Sequence, residues 1–184
     1  MFRKTAIYSL ILIVLCGGFV IYSCKEYALA FWEAWCFYNT KVTLPDTMIA
    51  IEEGKLKHVH LPKQGTSILI RYYGPDDCKE CAVNHMKDNE EILELSNKTG
   101  LFEFVIIMAP QVNEQREIME KVISLNTSLC VFFDTSFYLE SLDVIPTHPE
   151  MHTFLLSKEM KPVFIGNPLQ NKTSLERFNK LLTN

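Results

Sequence analysis

A chain of 184 residues, 48% of them hydrophobic, has the length for one domain of ordinary size and the apolar content for a real core. Its formal charge of −4 is spread along the chain with no long basic stretch, which argues against a nucleic-acid surface. No glycine-rich phosphate-binding motif occurs in it.

Arg3 and Lys4 precede an apolar, uncharged stretch from Thr5 to Ser23. About 20 such residues suffice to cross a bilayer as a helix, and the preceding basic pair predicts a cytoplasmic N-terminus with the rest of the chain on the other side. Ile21-Tyr22-Ser23-Cys24 offers a second reading. A small residue before a cysteine at the end of an apolar run is similar to a bacterial lipoprotein cleavage site, which would make Cys24 a point of lipid attachment, although Tyr22 fits that pattern poorly. Residues 1–24 therefore read as a membrane anchor or a lipoprotein signal, with no clear A-x-A-like site for an ordinary cleaved signal. Residues 25–41 read as a linker. Phe31, Trp32, Trp35, Phe37 and Tyr38 give it the aromatic content of a membrane-interface or capping segment.

Further along, Val42-Thr43-Leu44 and Leu56 to Leu61 are short strand candidates, bounded by Pro45, Gly54, Pro62 and Gly65. From residue 67 the pattern sharpens. It predicts a strand over 67–73, a helix over 78–96 that exits at Gly100, a strand over 102–108 and a helix over 112–125 with an apolar stripe through Ile118, Val122 and Leu125. A strand over 129–133 and a short helix near 135–142 follow, and then Pro146 and Pro149 break the chain. Strands over 152–157 and 162–166 form a hairpin, and Leu175, Phe178, Leu181 and Leu182 mark a closing helix. Strands alternating with helices, then a hairpin and a last helix, imply an α/β domain over residues 42–184 with a mixed sheet covered on both faces.

Six cysteines are present, and only Cys78 and Cys81 have redox spacing. They sit where the 67–73 strand gives way to a helix. Placed at i and i+3, their thiols share one face of the first turn, within reach of a disulfide. The first sulfur stands at a helix N-terminus, where free N–H groups favour thiolate over thiol. Cys16 lies in the apolar segment, and Cys130 reads as a buried strand thiol. In an oxidising compartment a Cys36–Cys130 bridge is also open.

Residues 42–184 resemble a thioredoxin-like domain of the membrane-tethered TlpA/ResA-type group in bacteria. Three features carry the likeness. They are the strand followed by Cys78-Lys79-Glu80-Cys81 and a helix, the extra strand Leu129-Cys130-Val131-Phe132-Phe133-Asp134, and the tail from Thr153-Phe154-Leu155-Leu156 through Val163-Phe164-Ile165-Gly166-Asn167-Pro168. The resemblance implies a thioredoxin-like fold and exchange with protein thiols or disulfides, with no cofactor, in a domain facing the periplasm. Proteins of this kind usually carry a cis-proline just before the penultimate strand, facing the cysteines. Here Met151 takes the expected slot, and Pro149 lies two residues earlier.

In the exchange reading Cys78 is the attacking thiolate and Cys81 the more buried resolving thiol. Asp76, Asp77 and Glu80 oppose the thiolate while Lys79 favours it, and three acids against one base predict a reductant or isomerase-like role. Tyr72, Tyr73 and His152 are candidates for the rim. Two other classes compete. Cys78, Cys81 and His85 with one of His58, His60, His148 or His152 would make a zinc or copper site, and a non-catalytic thioredoxin-like module would only bind a partner protein. A peroxidase is disfavoured, because aspartates stand between Pro75 and Cys78 where that chemistry wants Thr or Ser.

Overall fold

The computed structural model describes residues 25, 27–62, 65–84, 86–125 and 127–183. The chain divides into two compact units, residues 1–36 and 37–184. Helix α1 covers residues 27–38. In the first unit Trp32 and Trp35, one turn apart, stack with their centroids 5.2 Å apart, and Tyr27 and Phe31 are exposed. Among the described residues no helix is long and apolar enough to cross a membrane. The segment from Thr5 to Ser23, Cys16 and the candidate lipid site Cys24 all lie outside the described residues.

The second unit is built on a seven-stranded sheet in the order β2-β1-β5-β4-β3-β6-β7. Strands β1 (Thr47–Glu52) and β2 (Lys55–His60) form an antiparallel hairpin with Glu52 opposite Lys55. Its two loop residues, Glu53 and Gly54, have φ of 52° and 70°, the positive pair that a type I′ turn requires. Glutamate rarely advertises such a turn, and the strand expected at 42–44 is in fact extended lead-in. Val42 is buried there by packing rather than pairing, its amide donating to the Met160 carbonyl at 2.9 Å.

Strand β3 (Ile68–Tyr73) lies inside the sheet, parallel to β4 (Glu103–Met108) and antiparallel to β6 (Thr153–Leu156). Period-2 alternation explains how it is covered on both faces. Ile68, Ile70 and Tyr72 join one core with Val105, Ile107 and Phe154. Leu69 faces the other side, with Ile92, Phe102 and Phe178. Strand β5 (Val131–Phe133) carries the parallel pairing on from β4 and joins the β1–β2 hairpin to the sheet through an antiparallel contact. Strand β7 (Pro162–Ile165) closes the other edge against β6.

Between β3 and β4 the expected single helix is broken. It runs as α2 (Lys79–Asn84), a 3₁₀ turn (Met86–Asn89) and α3 (Glu90–Thr99). At the break the Asn89 side chain is fully buried, accepts a hydrogen bond from Arg71 Nη1 on β3 and turns its Nδ2 to the Met86 sulfur. At the far end Gly100 stops α3 in the left-handed region at φ 62°, with its amide on the Ser96 carbonyl. Helices α4 (Gln115–Ser124), α5 (Tyr138–Ser141) and α6 (Lys172–Thr183) complete the unit, with a 3₁₀ turn at Pro149–Met151 before β6. Cys130 is a free thiol in this structure.

Candidate active site

Strand β3 ends at Tyr73, and the turn Gly74–Asp77 delivers the chain to α2. Asp77 ties this turn, its amide donating to the Gly74 carbonyl at 3.1 Å and its Oδ2 accepting from the Gly74 amide at 2.7 Å. Gly74 suits the spot because a Cβ would come within 3.2 Å of Glu140 Oε1 and 3.3 Å of the Tyr72 ring. Cys78 follows, one residue ahead of α2, and Cys81 lies in its first turn. The two are joined as a disulfide with Cα atoms 5.3 Å apart, inside the usual range.

Both cysteines are exposed. The inward position of the first helical turn is taken instead by Lys79, which is only 4% exposed. Its ammonium donates to the carbonyls of Gly74, of Pro75 at 2.7 Å and of Asp77 at 2.8 Å, and burial lowers its pKa. Lys79 is therefore committed to the turn's carbonyls and does not serve as the thiolate's counter-ion. The Cys81 amide, which donates to Cys78 Sγ at 3.2 Å, is the polar group that singles out Cys78 as the sulfur better placed to carry negative charge. Because α2 is short, this support is a local amide rather than the dipole of one long helix.

Two of the three acids near the cysteines are also engaged. Glu80 meets Lys121 at 2.5 Å, and Lys121 meets Glu117 at 2.8 Å. Lys121 holds Glu80 below the usual carboxylate range, and Glu117 together with Glu80 pushes Lys121 up to about 12. Asp77 Oδ2 lies 2.9 Å from His152 Nδ1. Counting acids along the sequence therefore overstates the repulsion a thiolate at Cys78 would feel.

His152 stands immediately before β6, its carbonyl accepting from the Tyr72 amide at 2.8 Å and its Nε2 2.9 Å from the Pro146 carbonyl. His152 and Pro149, and not Met151, line the cavity that the cysteines border. The 3₁₀ turn Pro149–Met151 delays the strand until Thr153. No cis peptide bond occurs among the described residues. A cavity of about 380 Å³ opens where His152 faces the cysteines, with Arg71, Tyr73 and Thr153 in its wall. Tyr72 is nearly fully buried and hydrogen-bonds Glu140 at 2.8 Å. Burial, reinforced by that carboxylate, raises its phenol pKa far above the ordinary value.

Sequence reasoning missed Arg71, Asn89 and Glu140. A charged residue inside the otherwise apolar run Ile68 to Tyr73 was the available signal for Arg71, since an arginine on a covered sheet face needs partners. Among the described residues no group of three or more His, Cys, Asp or Glu is placed to hold an ion. His58 and His60 sit on β2, at one edge of the sheet and far in strand order from β3, and His85 lies outside the described residues.

No protein-family model and no curated protein sequence matches the chain. Solved structures do. The exposed lipoprotein thioredoxin Etrx1 of Streptococcus pneumoniae superposes with a TM-score of 0.50 at 14% identity, covering 73% of this chain and 97% of its own. A candidate thiol:disulfide interchange protein DsbE of Chlorobium tepidum superposes with a TM-score of 0.50 at 12% identity, covering 78% and 98%. The chain has the thioredoxin-like fold, with a CxxC disulfide where the strand inside the sheet meets its helix.

Proposed function

We propose that the protein is a thiol-disulfide oxidoreductase acting on protein disulfides of the cell envelope. One observation carries this reading, namely an exposed Cys78–Cys81 disulfide bordering an open cavity at the strand-to-helix junction of a thioredoxin-like fold. In the reductive direction the Cys78 thiolate attacks one sulfur of a partner disulfide. A Cys78–partner bond forms, the partner's own S–S bond breaks, and the departing sulfur leaves as a thiolate that takes up a proton. Cys81 then loses its proton and attacks the Cys78 sulfur, forming the intramolecular disulfide and releasing the second partner thiol. Two electrons pass from the dithiol to the partner, and the reverse sequence oxidises it. No cofactor is required.

In the same reading residues 42–184 are the catalytic domain, residues 25–41 a linker, and residues 1–24 the anchor or lipoprotein signal, with Cys24 the lipidated residue in the second case. The charge-free stretch from Thr5 to Ser23 behind Arg3 and Lys4 supports placing the domain on the periplasmic side of the cell membrane. The test is reduction of insulin by the full chain with dithiothreitol as electron donor. Wild type is expected to accelerate it, and Cys78→Ser to fall to the rate of dithiothreitol alone. Equal rates for the two proteins would overturn the reading. The reduction potential of the pair then sets direction, about −270 mV marking a reductant and about −120 mV an oxidant.

A further inference from the structure

Arg71 is a cation placed where the core calls for an apolar side chain. It lies on β3 between Ile70 and Tyr72, opposite Thr153 of β6, and is only partly accessible. Its partners among the described residues are neutral. Nε donates to Thr153 Oγ1 at 3.3 Å and Nη1 donates to Asn89 Oδ1. A guanidinium carries five N–H donors in a planar fork, so these bonds orient it and leave further donors unspent. Half-burying a charge beside neutral groups alone is unfavourable unless an anion completes the site.

The cavity that Arg71 lines is the one that Cys78 and Cys81 also line. The carboxylate in its wall is Asp77, whose Oδ2 lies 2.9 Å from His152 Nδ1 and accepts from the Gly74 amide. Asp77 is thus engaged by other donors, and among the described residues Arg71 is hydrogen-bonded only to the neutral Thr153 and Asn89.

Resting on the exchange activity proposed above, we infer that Arg71 selects substrates that carry a carboxylate close to the reacting sulfur. A client acid next to its cysteine would accept N–H bonds from the guanidinium while the neighbouring sulfur meets Cys78. The shared chemistry is a carboxylate near a thiol or disulfide, supplied either by an Asp or Glu side chain of a protein client or by a small acidic thiol of the glutathione type.

The test uses the reduced full chain and short peptides whose single cysteine is held in a mixed disulfide with 2-mercaptoethanol. The residue on either side of the cysteine is Glu in one series and Gln in the other. Each rate is divided by that of dithiothreitol acting on the same peptide, which removes intrinsic reactivity. Wild type is expected to favour Glu over Gln by roughly five- to tenfold at low salt. The preference should shrink in 0.5 M NaCl, where the Debye length is only a few ångströms, and approach one in Arg71→Gln. A parallel arm compares glutathione disulfide with 2-hydroxyethyl disulfide. A gain there makes small acidic thiols substrates of the same site, and its absence confines the preference to protein clients.

A wild-type ratio of one at low salt, with exchange proceeding on both peptides, overturns the role of Arg71 and leaves the exchange reading intact. No exchange with either peptide sinks both. Because the wild-type series and its salt dependence decide the matter, the inference stands or falls even if Arg71→Gln fails to fold.

Discussion

His152 and Asp77, 75 positions apart in sequence, meet at 2.9 Å, and both side chains are largely buried. The contact ties the residue that opens β6 to the residue that precedes Cys78. With Nε2 on the Pro146 carbonyl as well, the imidazole bridges the two loops that frame the cysteines.

Removing either partner leaves the other buried without its hydrogen bond. His152→Ala and Asp77→Ala are each expected to lower stability by about 1–3 kcal/mol. The double variant should lose less than the sum, with a coupling of about 0.5–3 kcal/mol. Urea unfolding of the four proteins, read by far-UV circular dichroism, measures it. Strict additivity would mean the contact contributes nothing.

Lys79→Met keeps the length and apolar stem of the side chain but removes the ammonium from three carbonyls of the Gly74–Asp77 turn, of which Gly74 keeps the Asp77 amide as a donor. The loss should be about 2–4 kcal/mol, large for a residue flanked by exposed cysteine and glutamate. A change below about 0.5 kcal/mol in the same unfolding assay would show that water replaces the ammonium without cost.

Burial pushes the Cys130 thiol up to about 11, from an ordinary 9.0, with Glu52 adding to the shift. The thiolate is the reactive form, so at pH 8 its population is roughly a hundredfold below that of an ordinary thiol, each unit being a factor of ten. Iodoacetamide should therefore modify Cys78 and Cys81 of the reduced native protein well before Cys130, as peptide mass analysis over time would show. The sign for stability follows. Below about pH 9 the thiol is protonated in both folded and unfolded chains and has no pH dependence. Above that the unfolded chain ionises first, so this group's contribution falls as pH rises and levels off once the folded thiol also ionises, above about pH 11. Early labelling of Cys130 at pH 8 would contradict the burial.

Local patterns announced much of this architecture. The apolar run ending at Tyr73-Gly74, the i and i+3 spacing of the cysteines, Gly100 as a helix stop and the closing hairpin each depend on residues a few positions apart, and each was legible. The strand over 47–52 was not, because Glu53 adopts the left-handed turn that glycine or asparagine would have signalled. The helix over 78–96 looked continuous because no proline or glycine interrupts it, and the break falls where Asn89 is bonded to Arg71 on another element.

The sequence by itself determined the order of strands and helices from β3 onward and the place of the dithiol within it, because hydrophobic period and turn chemistry act over short distances. Only the tertiary structure decided which charges the dithiol feels. Lys79 folds inward onto its own turn, Glu80 is taken by Lys121, Asp77 by His152, and Arg71 is aimed into the cavity by Asn89 and by Thr153, 82 positions away. Such pairings follow from the packing of distant segments against one sheet, and a charge's partner in space leaves no trace in its neighbours along the chain.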